Sequence, residues 1–313
     1  MEARSSNARP QLTRAIQSLQ GLSCGDAFGE RFFIPPELAK SLISQRAVPS
    51  RPWRYTDDTA MAIATMEILE EFGEIQPERL AENFGKHFIA DPHRGYGPAM
   101  HSLLPELAEH PQYWKQLSPQ LFKGVGSFGN GAAMRVAPVG AFFADDLDTL
   151  VKQAELSAVI THSHPEGIAG AIAVAVATAL AWRHKTLPAS PLDFLRQIAE
   201  RTPMSEVHLG IVKAATLLEN STADQAASAL GNGARVSAQD TVPFSLWAAA
   251  LHLDDYEAAL WTTVSGLGDR DTTCAIVGGI VAMSADSETI PSSWIQSREP
   301  IPAWFLYPPP GLN

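Results

Sequence analysis

Two pairs of carboxylates have the residue types and spacing to do chemistry. Thr56-Asp57-Asp58-Thr59 sets adjacent acids between hydroxyls at the opening of an apolar-striped segment, and far downstream Gly268-Asp269-Arg270-Asp271-Thr272-Thr273 repeats the arrangement. A single cluster of this kind is also what helix capping asks for, because threonine and aspartate satisfy first-turn N–H groups and acids there favour the helix dipole. Two clusters supply four carboxylates. Hard divalent cations such as Mg2+ take carboxylate and hydroxyl oxygens in preference to thiols or imidazoles. Four negative charges balance two such ions, and ions about 3.5–4 Å apart can share a substrate oxygen or a water.

A second constellation is the glycine-rich run Gly124-Val125-Gly126-Ser127-Phe128-Gly129-Asn130-Gly131-Ala132-Ala133-Met134-Arg135. Its opening matches G-x-G-x-x-G by letter, but a dinucleotide fingerprint needs a preceding strand and a βαβ unit, and Gln116 to Lys123 offers neither. Two readings stay open: a loop whose bare backbone N–H groups cradle phosphate, with Phe128 against an adenine or ribose face, or a purely structural turn. Thr161-His162-Ser163-His164-Pro165-Glu166 lacks the HExxH pattern and paired cysteines, so zinc is not expected. One of its histidines either caps a helix or donates a hydrogen bond to a ligand. The loop Asp91 to Pro98, with Tyr96 and Gly97, is polar, glycine-rich and open to the same two readings.

The elements that must position these groups read as helices. From Asp57 to Phe72 the apolar residues Met61, Ala64, Ile68, Leu69 and Phe72 recur at three- and four-residue steps, so Asp57 and Asp58 open that helix. The same period predicts helices in Leu150–Ile160, Val207–Leu218, Phe244–Leu253 and Tyr256–Val264, and alternating strand patterns are hard to find. Prolines at 35, 36, 52, 77, 92, 98, 138, 188, 191, 243 and 291 are read as breaks between elements. Three segments rich in small residues, Gly21–Gly29, Gly167–Leu180 and Thr272–Ala285, suit helices whose axes approach closely. The fold class is all-α.

Composition narrows the partners. The 313 residues carry 23 lysines and arginines against 34 acids, a formal charge of −11, the wrong sign for gripping nucleic-acid phosphate, so sequence-specific nucleic-acid binding is not expected. An anionic substrate would need a cation as mediator. Two cysteines, Cys24 and Cys274, sit among small apolar neighbours, which favours a reducing, cytoplasmic setting over a disulfide scaffold. Met1 to Leu19 has arginines and no apolar leader core, so it reads as a ragged start. The uncharged run Gly167–Trp182 has 16 residues, short of the ~20 a bilayer requires, and reads as a buried helix with no membrane role. No linker divides the chain, so one domain over residues 1–313 is expected, with 286–313 an irregular tail ending in the extended Pro308-Pro309-Pro310-Gly311.

Taken in order, G-x-x-x-G-D-A-x-G at Gly21–Gly29, T-D-D-T at Thr56–Thr59, G-N-G-A-A-M-R at Gly129–Arg135, T-H at Thr161-His162 and G-D-x-D-T at Gly268–Thr272 resemble the ADP-ribosylglycohydrolases. That family includes the dinitrogenase-reductase-activating glycohydrolases and the J1 crystallins. The motifs run from about residue 21 to 283, and their ordered set is specific where each alone is weak.

The resemblance implies a single compact multi-helix domain holding two Mg2+ or Mn2+ ions. It implies hydrolysis of the glycosidic bond between ADP-ribose and a protein or small-molecule acceptor, with ADP-ribose as product. By motif match, Thr56, Asp57, Asp58, Asp269, Asp271 and Thr272 are the metal ligands, with Asp58 and Asp271 the catalytic candidates among them. Gly126, Ser127, Phe128, Gly129 and Asn130 line the ADP-ribose site with His162 nearby, and the loop bearing Tyr96 and Gly97 shapes the acceptor side. Many relatives have a glutamate seven residues after the first motif's aspartate, and here that position is Phe33. Either Glu30, one turn away, or an aspartate of the metal cluster then moves the proton. Arg270 also departs from the threonine often found between the two downstream acids. The alternative to an enzyme is a homologue that binds ADP-ribose without turnover, for which Phe33 is the support.

Overall fold

The computed structural model describes residues 8–219, 221–284 and 290–302. Its helices in chain order are α1 (Ala8–Glu30), α2 (Pro36–Ser44), α3 (Asp57–Phe72), α4 (Pro77–Ala90), α5 (Met100–Glu109), α6 (Trp114–Gly124), α7 (Gly131–Met134), α8 (Ala137–Phe142) and α9 (Leu147–Val159). They continue as α10 (Pro165–His184), α11 (Pro191–Arg201), α12 (Glu206–Thr216), α13 (Ala223–Leu230), α14 (Ala238–Leu251), α15 (Tyr256–Ser265), α16 (Arg270–Ser284) and α17 (Ser292–Ser297). Among the described residues there is no strand, only isolated bridges joining Trp53 to Arg298 and Gly129 to Ser237. The all-α reading therefore stands. Local chemistry sets many of the starts: proline opens α2, α4, α10 and α11, and the side chains of Asp146, Ser205, Thr222 and Asp255 accept from first-turn N–H groups.

At the centre, α10 packs against α8, α9, α14 and α16, and α1 packs along α16. The α1–α16 contact is made by glycine. Gly21, Gly25 and Gly29 fall on one stripe of α1, and a methyl group built on each would lie 2.3, 2.1 and 2.2 Å from the carbonyl oxygens of Gly278, Cys274 and Arg270. Only a missing side chain lets the two backbones come this close. The consequence reaches the chemistry, because the end of α1 is pinned beside the start of α16.

Five expectations need correction in whole or in part. Residues 8–19, read as part of a ragged start, are the first three turns of α1. Pro243 does not break a helix: it lies inside α14, with its ring lodged against Gly210, where a Cβ would come within 2.4 Å of it. The apolar run at 167–182 belongs to a 20-residue helix that meets the length for a bilayer span, yet Gly167 and nearly all residues from Ala169 to Ala181 are buried inside the protein. The expected irregular tail contains α17, whose Trp294 stacks on Phe28 at 4.5 Å; Pro308–Gly311 lie outside the described residues. Finally, α3 has the expected bounds, but Phe72 is exposed and the first half is buried all round.

Candidate active site

The first acid cluster is held by a residue from another helix. Thr56 occupies the N-cap position of α3 in an extended conformation, but its hydroxyl does not cap that helix. Asp26, on α1, does so. Its carboxylate accepts from Thr56 N–H at 3.0 Å, Thr56 Oγ1 at 2.8 Å, Thr59 N–H at 3.1 Å and Thr59 Oγ1 at 2.5 Å. The capping interaction is thus supplied across space, which fixes the entrance of α3 against α1 and leaves the Asp57 and Asp58 side chains free of capping duty. At α16 the carbonyl of Asp269 accepts from Thr273, while its carboxylate accepts from Asn130 Nδ2 at 2.7 Å.

These two entrances converge. Asp26, Asp58 and Asp271 each place a carboxylate oxygen so that all three lie within 4.8 Å of one another. Asp58 Oδ1 and Asp271 Oδ1 are buried without a hydrogen-bond partner among the described residues. Thr56 Oγ1 lies 2.8 Å from Asp26 Oδ1 and 2.9 Å from Asp58 Oδ2, yet a hydroxyl has one proton to give. Without a cation, one carboxyl must keep its own proton. Burial, with the Asp26 charge second, pushes Asp58 well above the carboxylate range, and burial, with Asp269 second, does the same to Asp271. Burial and Asp26 push Asp57 up to about 8, and burial raises Asp26 itself to about 6. A cluster of acids that resists ionisation, with orphaned oxygens inside it, has the donor chemistry for a hard divalent ion.

Beside the cluster lies a cavity of about 420 Å3, within the range of small-molecule sites, whose wall includes Asp57, Asp269, Asp271 and Thr272. The glycine-rich loop contributes Ser127, Phe128, Gly129 and Asn130 to the same wall, together with His162. Gly126, expected there too, is instead a turn residue with φ of +77°, packed so that a Cβ would lie 2.5 Å from Ser163 Oγ. Phe122 joins Phe128 at the mouth, ring centroids 6.4 Å apart and both rings partly exposed. Phe122 and Lys123 hold left-handed φ values of 53° and 62°, a conformation costly for side-chain-bearing residues, and that kink turns the end of α6 toward the cavity.

The remaining expected residues divide. Gly97 lines the cavity, whereas Tyr96 is packed edge-on against Phe88 in the core, with its buried hydroxyl unpartnered among the described residues. Glu30 is half-buried, outside the cavity wall, and raised above the usual carboxylate range first by burial and then by the Asp26 charge. Arg270 forms none of the ion pairs found among the described residues; its guanidinium lies 5.0 Å from the centre of the Phe33 ring, so the two departures from the family pattern touch each other. A larger groove of about 730 Å3 between α12, α13 and α14 shares Arg235 with the cavity but is lined by neither acid cluster.

Over residues 7–305 the sequence matches the ADP-ribosylglycohydrolase family. The chain belongs to that family. It is 30% identical to "ADP-ribosylhydrolase ARH3" of Bos taurus, with 78% of this chain and 74% of that protein covered, and 30% identical to the protein of the same name from Xenopus tropicalis, with 92% and 91% covered. A solved structure titled "ADP-ribosylglycohydrolase-related protein complex" superposes with a TM-score of 0.64 at 20% identity, covering 93% of this chain and 94% of the other, which shows the shared fold.

Within this ADP-ribosylglycohydrolase, sequence reasoning missed three contributors. Asp26 lies in the Gly21–Gly29 motif, and its signal is a lone charge among the small and apolar residues of that segment. Phe122 had no signal short of its unusual backbone. Glu299, from the segment taken for a tail, accepts from Tyr55 N–H at 3.0 Å and pairs with Arg94, whose carbonyl accepts from Asp57 N–H at 2.7 Å.

Proposed function

We propose that this protein is a divalent-metal-dependent hydrolase that cleaves the glycosidic bond between ADP-ribose and an acceptor, using a pair of Mg2+ or Mn2+ ions. The observation that carries the reading is the convergence of Asp58 and Asp271, from helix entrances far apart in the chain, with one orphaned oxygen each beside a cavity of ligand size. Thr56, Asp57, Asp58, Asp269, Asp271 and Thr272 would hold the ions. When bound, the ions would supply Lewis acidity and lower the pKa of a coordinated water.

The chain's own residues do the rest. The Ser127–Asn130 loop and the Phe122–Phe128 pair hold the ADP-ribose, rings against the base and backbone against the diphosphate. His162 hydrogen-bonds the ligand. Asn130 orients Asp269 by donating to its carboxylate. With Phe33 in place of a glutamate, the proton at the leaving atom is moved by Asp58 or Asp271, or by Glu30, whose raised pKa suits an acid. The name of the ARH3 relatives, ADP-ribosylhydrolase, supports the reaction class, and the acceptor is left to experiment.

A second reading, binding of ADP-ribose without turnover, is favoured by one observation: Phe33 is engaged with Arg270 and offers no carboxylate at its position. A panel of ADP-ribosylated arginine, serine, nucleobase and small-molecule acceptors, assayed with and without Mg2+ or Mn2+, separates the two. ADP-ribose release that depends on metal supports the hydrolase; binding of free ADP-ribose with no release from any acceptor supports the alternative.

A further inference from the structure

His162 reaches the cavity from a position fixed by two residues behind it. Thr161 Oγ1 lies 2.9 Å from Arg135 Nη2 and 2.7 Å from His162 Nδ1. Guanidinium nitrogens only donate, so the hydroxyl oxygen accepts from Arg135, and among the described residues Nδ1 is the one acceptor its single hydrogen reaches. Nδ1 is then an acceptor, and the neutral ring carries its hydrogen on Nε2. That edge faces the glycine loop: a Cβ on Gly129 or Gly131 would sit 3.1 or 3.0 Å from Nε2, so the bare backbone there makes room for the imidazole.

Arg135 is placed firmly enough to set this direction. It is fully buried, donates to Gly131 O at 2.8 Å and Ser157 O at 3.1 Å, and has its guanidinium 4.5 Å over the Phe84 ring. Burial, with the Arg135 charge second, also holds His162 in its neutral form, down to about 3.

We propose that Arg135 and Thr161 are positioning residues that lock His162 as the Nε2–H tautomer, making it a fixed hydrogen-bond donor to an acceptor oxygen of the ligand rather than a proton carrier. The ligand's identity rests on the ADP-ribose reading above, whose diphosphate and ribose oxygens are acceptors of the required kind. The tautomer rests on the protein's own contacts and is tested separately.

The experiment is nitrogen NMR of the full chain labelled with 15N-histidine, with His162 assigned by comparison with His162→Gln, alongside calorimetric titration with free ADP-ribose in Mg2+. Wild-type protein should show hydrogen on Nε2 and a bare Nδ1. Thr161→Ser should keep that signature and the affinity. Thr161→Val should lose the tautomer preference and weaken ADP-ribose binding roughly three- to tenfold, the size of one lost hydrogen bond. Hydrogen on Nδ1 in the wild type overturns the proposal, and this arm needs no variant to fold. So does a folded Thr161→Val with wild-type signature and affinity. Wild-type protein with the Nε2–H signature that binds no ADP-ribose overturns the ADP-ribose reading and the donor role with it.

Discussion

Asp26 takes both the backbone N–H and the hydroxyl of Thr56, at 3.0 and 2.8 Å, so the residue that opens one acid cluster is anchored to a helix thirty positions earlier in the chain. The same carboxylate reaches Thr59, which makes it the cap that α3 does not supply for itself. Asp26→Asn keeps one acceptor oxygen and introduces N–H hydrogens facing other N–H groups. Loss of about 1–3 kcal/mol of stability is expected, from the unsatisfied buried donors. Chemical denaturation measures this, and an unchanged midpoint would contradict the capping role.

The glycine stripe of α1 gives a second prediction. In Gly25→Ala the new methyl would lie 2.1 Å from Cys274 O, backbone that cannot step aside, so α1 and α16 must separate. Overpacking of this kind costs ~1–3 kcal/mol. Because the same contact brings Asp26 beside Asp271, metal affinity should fall together with stability. A destabilised variant with wild-type Mn2+ affinity would show that the stripe does not set the site.

The acid cluster should make the metal-free protein less stable as pH rises. Asp57 is held at about 8 and Asp26 at about 6 against an ordinary 3.8, chiefly by burial. Between 3.8 and about 8 the folded protein therefore holds more protons than the unfolded chain, and its stability falls with pH across that window. Below 3.8 both states are protonated and these groups contribute no slope. His162, depressed from 6.5 to about 3, acts in the opposite sense only below 6.5, so the clean interval is pH 6.5 to 8. In chelator the melting temperature should drop across it, and saturating Mg2+ should remove the drop. Asp271→Asn should raise the metal-free melting temperature at pH 8, by relieving repulsion, while abolishing the Mg2+ effect. A melting temperature that rises with pH in chelator would contradict the account.

Glu299 acts at one remove. It holds Tyr55 and Arg94, and the Arg94 carbonyl fixes Asp57 N–H. Glu299→Ala should weaken apparent Mn2+ affinity several-fold, on the order of one hydrogen bond, with a smaller change in thermal stability. Equal Mn2+ affinity in the two proteins would remove the C-terminal segment from the account.

Both acid clusters were legible because hard-ligand chemistry depends on side-chain type and a helix entrance, and both are local. The bounds of α3 were legible for the same reason, its stripe being long and periodic. Asp26 was not, since its four hydrogen bonds go to residues thirty or more positions away. Pro243 reads as a stop and shortens α14 in the sequence, whereas Gly210 on the neighbouring α12 makes room for its ring. α17 was missed because six residues carry too little pattern, and what orders them is Trp294 stacking on Phe28. Tyr96 reads as a ligand residue because its loop is polar and glycine-rich with one aromatic, whereas its ring is drawn into the core by Phe88.

The central claim is that the acids of two helix entrances together hold divalent ions. Crystals soaked in Mn2+, measured at the manganese absorption edge, address it directly. The account predicts anomalous peaks about 2.0–2.2 Å from carboxylate oxygens of Asp58 and Asp271, with Asp57 and Asp269 on the flanks, and their loss in Asp58→Asn. A map with no peak among these four aspartates at saturating Mn2+ would contradict it.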